Sequence, residues 1–143
     1  MITLDASVVI ALLNPHDPHH QAAVDYLRES ATEDLVIHSL NLAEVLVGGA
    51  RAGRGPEMVA DLEAIGLRVA DRSDGEPLRL ANLRANSGLK LPDCCALDTA
   101  LSTASTLATF DESLAKAARQ HHITVTPGRA PQGGEPQTPD VTD

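Results

Sequence analysis

The chain has 143 residues, 43 % of them hydrophobic, and a formal charge of −9, which fits one domain with one buried core. One Phe, one Tyr and no Trp leave that core to Leu, Val, Ile and Ala, and tell against an aromatic platform for stacking nucleic-acid bases. The acidity tells against a generic DNA-binding module, since proteins that grip phosphate backbones are usually basic.

In chain order, Ile2-Thr3-Leu4 reads as a short strand ending at Asp5. Ala6 to Leu13 (ASVVIALL) fits a strand or a buried helix by pattern; the break at Asn14-Pro15 favours a helix. A second helix is expected from about Pro18 to Glu29, with Ala22, Ala23, Tyr26 and Leu27 as its apolar face. Leu35-Val36-Ile37 is a strand, Asn41 to about Ala50 a helix closed by Gly53 and Gly55, and Pro56 to Ile65 a helix ended by Gly66. A strand over Leu67–Ala70 follows, then a helix from Glu76 to Asn86 stopped by Gly88 and another from Pro92 to about Thr103. Thr106–Thr109 is a strand, Glu112–His121 a helix and Ile123–Val125 a last strand. This alternation predicts an α/β domain over residues 1–126, with a mainly parallel sheet of about five strands flanked by helices. From 127 to 143 the chain turns rich in Pro and Gly, which predicts a disordered tail.

Cys94 and Cys95 are neighbours and cannot staple a loop, so no disulfide framework is expected. There is no basic and apolar leader, and no apolar run approaches the roughly 18–20 residues that span a bilayer. The reading is a soluble, cytoplasmic protein without a membrane partner.

Four carboxylates stand out by position. Asp5 and Asp111 follow strand ends, where sites form in open α/β sheets. Each also suits a plain helix-capping role. Asp93 follows Pro92 in the first turn of a helix, where backbone N–H groups favour its charged form. Glu44 lies three residues after Asn41 and fits a capping box. A parallel sheet brings these places together. Carboxylates crowded there repel one another, and hard divalent cations such as Mg²⁺ relieve this while activating water against phosphodiesters. The four acids account for four of the nine excess negative charges, so such a site explains part of the acidity. Asp98 lies roughly 140° around its helix from Asp93 and reads as a structural acid.

Leu4-Asp5-Ala6-Ser7, Asn41-Leu42-Ala43-Glu44-Val45-Leu46, Lys90-Leu91-Pro92-Asp93-Cys94 and Thr109-Phe110-Asp111, in this order over about residues 1–126, resemble a PIN domain, and more narrowly a VapC-type toxin of a bacterial toxin–antitoxin pair. The resemblance implies a Mg²⁺- or Mn²⁺-dependent RNA endonuclease that forms a homodimer and is blocked by a small antitoxin in a larger complex. Carried over by motif, Asp5, Glu44 and Asp93 match the family's three main acids and Asp111 its usual fourth. Ser7, Asn41 and Thr109 match supporting polar positions. Asp98 stands where the family usually has a small residue, and the Cys94-Cys95 pair is unusual there; both cysteines read as small core-facing groups.

Arg51, Arg54, Arg84 and Lys90 lie near the expected site-side loops and are candidate RNA-phosphate contacts, with solvated helix ends the plain alternative. His16, His19-His20, His38 and His121-His122 complete no recognised zinc pattern and read as exposed loop residues. The glycines make no phosphate-binding loop. Two rival readings stay open: a non-catalytic interaction module of the same fold, and a receiver-like phosphoacceptor domain, for which the Lys expected after the last strand is missing.

Overall fold

The computed structural model describes residues 1–127. Five strands, β1 (Ile2–Leu4), β2 (Leu35–Ile37), β3 (Leu67–Val69), β4 (Thr106–Ala108) and β5 (Val125–Thr126), alternate with seven helices. These are α1 (Ala6–Leu13), α2 (His20–Glu29), α3 (Ser39–Arg51), α4 (Gly55–Ala64), α5 (Glu76–Ser87), α6 (Leu91–Thr103) and α7 (Glu112–Gln120). All strand pairings are parallel, in the order β3-β2-β1-β4-β5. The chain builds outward from β1 to β2 and β3, then restarts on the other side with β4 and β5. The connections therefore diverge between β1 and β4, and in such sheets the crevice at the strands' carboxyl ends is where sites form.

The two faces of the sheet bury different material. Ile2, Leu4, Leu35, Ile37, Leu67 and Ala108 pack against α1 to α4, whereas Leu107 packs against α6 and α7 with Leu80 and Leu83 of α5 alongside. The alternation follows from the two-residue period of a strand. Thr3, pointing the other way from Ile2 and Leu4, is fully buried, and its hydroxyl meets that of Ser105 at 2.6 Å. Helix α6 is buried without a break from Cys94 to Ala100. Its small residues Cys94, Cys95, Ala96 and Ala100 let the helix lie close on its neighbours, while buried Asp98 is met by Arg79.

Most expected elements are present, with shifted ends. ASVVIALL is a helix capped by Asp5. On α2 Ala23 is buried, but Ala22 faces solvent. Gly88 ends α5 in the left-handed conformation at φ +73°, which a residue without Cβ adopts freely. The last strand begins two residues later than expected, with Val125 beside Leu107 and Thr126 beside Ala108. Apart from Pro127, the expected tail lies outside the described residues. No helix among those described is long and apolar enough to cross a membrane.

Candidate active site at the β1–β4 crevice

Asp5 is buried just past the carboxyl end of β1, 4 % exposed. One carboxylate oxygen, Oδ1, accepts from the Ser7 hydroxyl at 2.6 Å and from the Val8 N–H at 3.2 Å. The other, Oδ2, accepts from the Thr109 hydroxyl at 2.5 Å. Both hydroxyls have spent their one proton on Asp5, so both act as acceptors on their other side: Ser7 Oγ from the Phe110 N–H at 3.0 Å, Thr109 Oγ1 from the Asp111 N–H at 2.9 Å. Two hydroxyl bridges thus tie the segment after β4 to the acid after β1. Burial, opposed by these hydrogen bonds, still pushes the Asp5 carboxyl above its ordinary value.

Asp111 caps α7 by accepting the Leu114 N–H at 2.9 Å, as Asp5 caps α1. Capping and site membership are not alternatives here, because a carboxylate has lone pairs left after one N–H is met. Asp93, in the first turn of α6, shows the convergence most directly. Its carboxyl is raised from the ordinary 3.8 to about 6, by burial first and then by the negative charges of Asp111, Asp5 and Glu44, with Lys90 opposing. Among the described residues, however, no three acidic, histidine or cysteine side chains stand close enough to ligate one ion together.

Glu44 is exposed, and its expected capping role is not found. The cap of α3 is His38, whose Nδ1 accepts the Leu40 N–H at 3.0 Å, so the helix starts at Ser39. Glu44 is therefore well inside the helix. Asn41, freed from capping, is 2 % exposed and uses its amide to bridge helices. It donates to the Pro92 carbonyl at 2.9 Å and to Glu44 Oε1 at 3.3 Å. Its own Oδ1 is buried without a hydrogen-bond partner among the described residues.

The basic candidates divide. Lys90 is the exposed residue just before α6, within electrostatic reach of Asp93. Arg51 lies seven residues beyond Glu44, about 10 Å along α3. Arg54 stands beside Glu57 at 3.6 Å, and Arg84 donates to the Leu89 carbonyl. Asp98 faces away from the crevice, 4 % exposed, and is gripped by Arg79 through two bonds of 2.8 and 3.1 Å. The pair borders a separate recess of about 320 Å³ that none of the four acids lines. Cys94 and Cys95 are buried, and burial raises both thiols, Cys95 to about 11, so neither is a ready thiolate.

The family model for the PIN domain matches residues 2–120. The chain belongs to the PIN-domain family. No protein in the curated set matches it. Solved structures share the fold: VapBC2 from Rickettsia felis, bound to a DNA fragment from their promoter, aligns with a TM-score of 0.66 at 19 % identity over 87 % of this chain and 97 % of that one. FitAcB from Neisseria gonorrhoeae gives 0.64 at 22 % identity over 87 % and 96 %. A toxin–antitoxin complex from Klebsiella pneumoniae gives 0.64 at 22 % over 78 % and 87 %.

Two residues of this PIN domain escaped the sequence reading. His38, expected among the exposed histidines, is 8 % exposed and its Nε2 meets Glu76 Oε2 at 2.8 Å. Because Nδ1 accepts the cap N–H, Nε2 carries the proton and donates it, tying the start of α3 to that of α5. Arg79 was unremarked because its partner Asp98 lies on the next helix.

The raised Asp93 carboxyl has a stability consequence in metal-free protein. Between its ordinary 3.8 and about 6 the folded chain holds a proton that the unfolded chain releases, so stability falls as pH rises through that window. Asp93→Asn removes the loss. A shift of two units is about 3 kcal/mol in full, discounted to about 1 kcal/mol for a half-exposed group. With EDTA at neutral pH the variant is expected to melt about 4 °C above wild type, and the gap should close toward pH 4. Equal melting at both pH values would contradict the crowding.

Proposed function

We propose that the protein is a Mg²⁺- or Mn²⁺-dependent endoribonuclease and the toxin of a toxin–antitoxin pair. The observation that carries this reading is the Thr109 hydroxyl bridge that holds Asp5 against the start of the Asp111 segment, with Asp93 near enough for the charges of both to raise its carboxyl. The donor set suits a hard cation: carboxylate oxygens and the unpartnered buried Oδ1 of Asn41, with both nearby thiols protonated. Asp5, Asp93 and Glu44 would hold the ion directly or through water, with Asp111 completing the site or holding a second ion. Because Mg²⁺ usually keeps several of its waters, acids that do not close on one point among the described residues could still hold it through those waters. When bound, such an ion supplies an activated water and neutralises charge on a phosphodiester.

The chain's own contribution is preorganisation. Ser7 and Thr109 hold both oxygens of Asp5 while anchoring the backbone of Phe110 and Asp111. Asn41 keeps Glu44 near the start of α6. A site already ordered costs no reorganisation when the reaction occurs. Lys90 would offer a cation near Asp93 for an arriving phosphate, and Arg51 at the end of α3 and Arg54 at the start of α4 are further candidate phosphate contacts. Residues 1–126 would carry the activity, with 127–143 a tail outside it.

RNA, rather than duplex DNA, is the substrate favoured by the motif resemblance and by a chain charge of −9, which opposes backbone-driven duplex binding. The toxin role is supported by the toxin–antitoxin complex among the fold's relatives. The expected partners are a second copy of this chain and a small antitoxin covering the crevice, in the cytoplasm. Purified protein with Mg²⁺ or Mn²⁺ is expected to cut total RNA into discrete fragments, and EDTA or the product of a small neighbouring gene to stop it. RNA left whole with either metal would overturn the proposal.

A further inference from the structure

The imidazole of His19 lies flat on the ring of Phe110, centroids 4.4 Å apart and planes within 7°. Phe110 sits between Thr109 and Asp111; its backbone N–H is bound to Ser7, which is bound in turn to Asp5. The Phe110 side chain is half-buried against the core between α1 and α4, whereas His19 is exposed. The chain's one phenylalanine thus carries a second flat ring on the segment between Thr109 and Asp111. Composition told against a stacking platform because it counted only Phe, Tyr and Trp, and this one is half histidine.

The platform is held from its backbone. The His19 N–H donates to Asp17 Oδ1 at 2.8 Å, and its carbonyl accepts the Ala23 N–H at 2.9 Å in the first turn of α2. The next residue, His20, is tied through Nδ1 to the Ala11 carbonyl at 2.8 Å. The His19 ring itself makes no hydrogen bond among the described residues. A fixed, flat, exposed ring with no polar partner, beside the candidate phosphate-cleaving acids, matches how proteins bind splayed bases: stacking on aromatic or histidine side chains.

We infer that His19, backed by Phe110, is a stacking site for an unpaired nucleobase next to the phosphate presented to the acid cluster. This deepens the nuclease reading and rests on it for the substrate class. It predicts a preference for a purine at the stacked position, since the larger ring system covers more of the platform.

The test measures binding of short labelled single-stranded RNAs by fluorescence anisotropy with Mg²⁺ present, in an Asp5→Asn background that keeps the RNA whole. His19→Ala is expected to weaken binding roughly tenfold, in line with the loss of one stacked base. His19→Tyr is expected to restore it. A purine-over-pyrimidine preference in the parent should vanish in the alanine variant. Equal binding by His19→Ala, or failure of tyrosine to restore it, would overturn the inference, as would absence of RNA binding in every variant. The two readings fail separately. RNA cut equally well by wild type and His19→Ala overturns the platform alone, whereas His19-dependent binding with no cleavage by wild type overturns the nuclease alone.

Discussion

Asp5→Asn is expected to lower metal-supported RNA cleavage about a thousandfold or more, because several kcal/mol of charge stabilisation are at stake in the ion site and each 1.36 kcal/mol is about tenfold in rate. The change is nearly isosteric, and Asn caps helices about as well as Asp, so α1 should persist. The amide, however, carries no negative charge and replaces one accepting oxygen by a donor, so it cannot accept from Ser7, Val8 and Thr109 together. Asp93→Asn is expected to behave similarly, and the double variant to be inactive. Asp98→Asn serves as the contrast: it keeps a hydrogen-bonding group for Arg79 on the other side of α6 and should keep its activity. Initial rates on a defined RNA, with circular dichroism to confirm folding, decide the matter. Full activity in the double variant would refute the assignment.

Thr109→Val is expected to hurt stability and activity at once. Thr109 is 4 % exposed, and its hydroxyl alone joins Asp5 Oδ2 to the Asp111 N–H. Valine fills the same space but leaves an acceptor and a donor unmet. Each costs about 1–3 kcal/mol when buried, and the Asp111 N–H is only half-buried, so the sum should fall near 2–3 kcal/mol. Melting is expected to drop by about 10 °C. Groups that orient ligands typically carry about 10- to 100-fold in activity or metal affinity, and a loss of that size is expected here. Thr109→Ser, which keeps the hydroxyl, should restore most of both. A valine variant as stable and active as wild type would show that the bridge does nothing.

The elements were legible because the central strands are short apolar runs and several helices stop at a breaker, as at Asn14-Pro15 and Gly88. The candidate acids were legible because strand ends and helix starts can be located in a sequence, and a parallel sheet gathers them on one edge. The start of α3 was misplaced for a physical reason. Asn41-x-x-Glu44 imitates a capping box, but a histidine nitrogen had already met the first free N–H. Asn41 could then reach the Pro92 carbonyl, a contact between distant segments that no local pattern encodes. The same holds for Arg79 with Asp98 and for His19 on Phe110. In each case one partner was visible as a polar or aromatic residue, and its role depended on a helix or loop brought beside it only by the fold. Asp5 and Asp111 illustrate the converse: each caps a helix, and a carboxylate that does so keeps lone pairs free for the proposed ion.

The central claim is that the carboxylates at the β1–β4 crevice form a divalent-cation site. Calorimetric titration of Mn²⁺ into metal-free protein at neutral pH tests it most directly. The account predicts a saturable site in wild type that weakens as pH falls through about 6, where Asp93 takes up its proton, and that is lost in the Asp5→Asn, Asp93→Asn double variant. Equal heats from wild type and the double variant, or no binding by either, would contradict it.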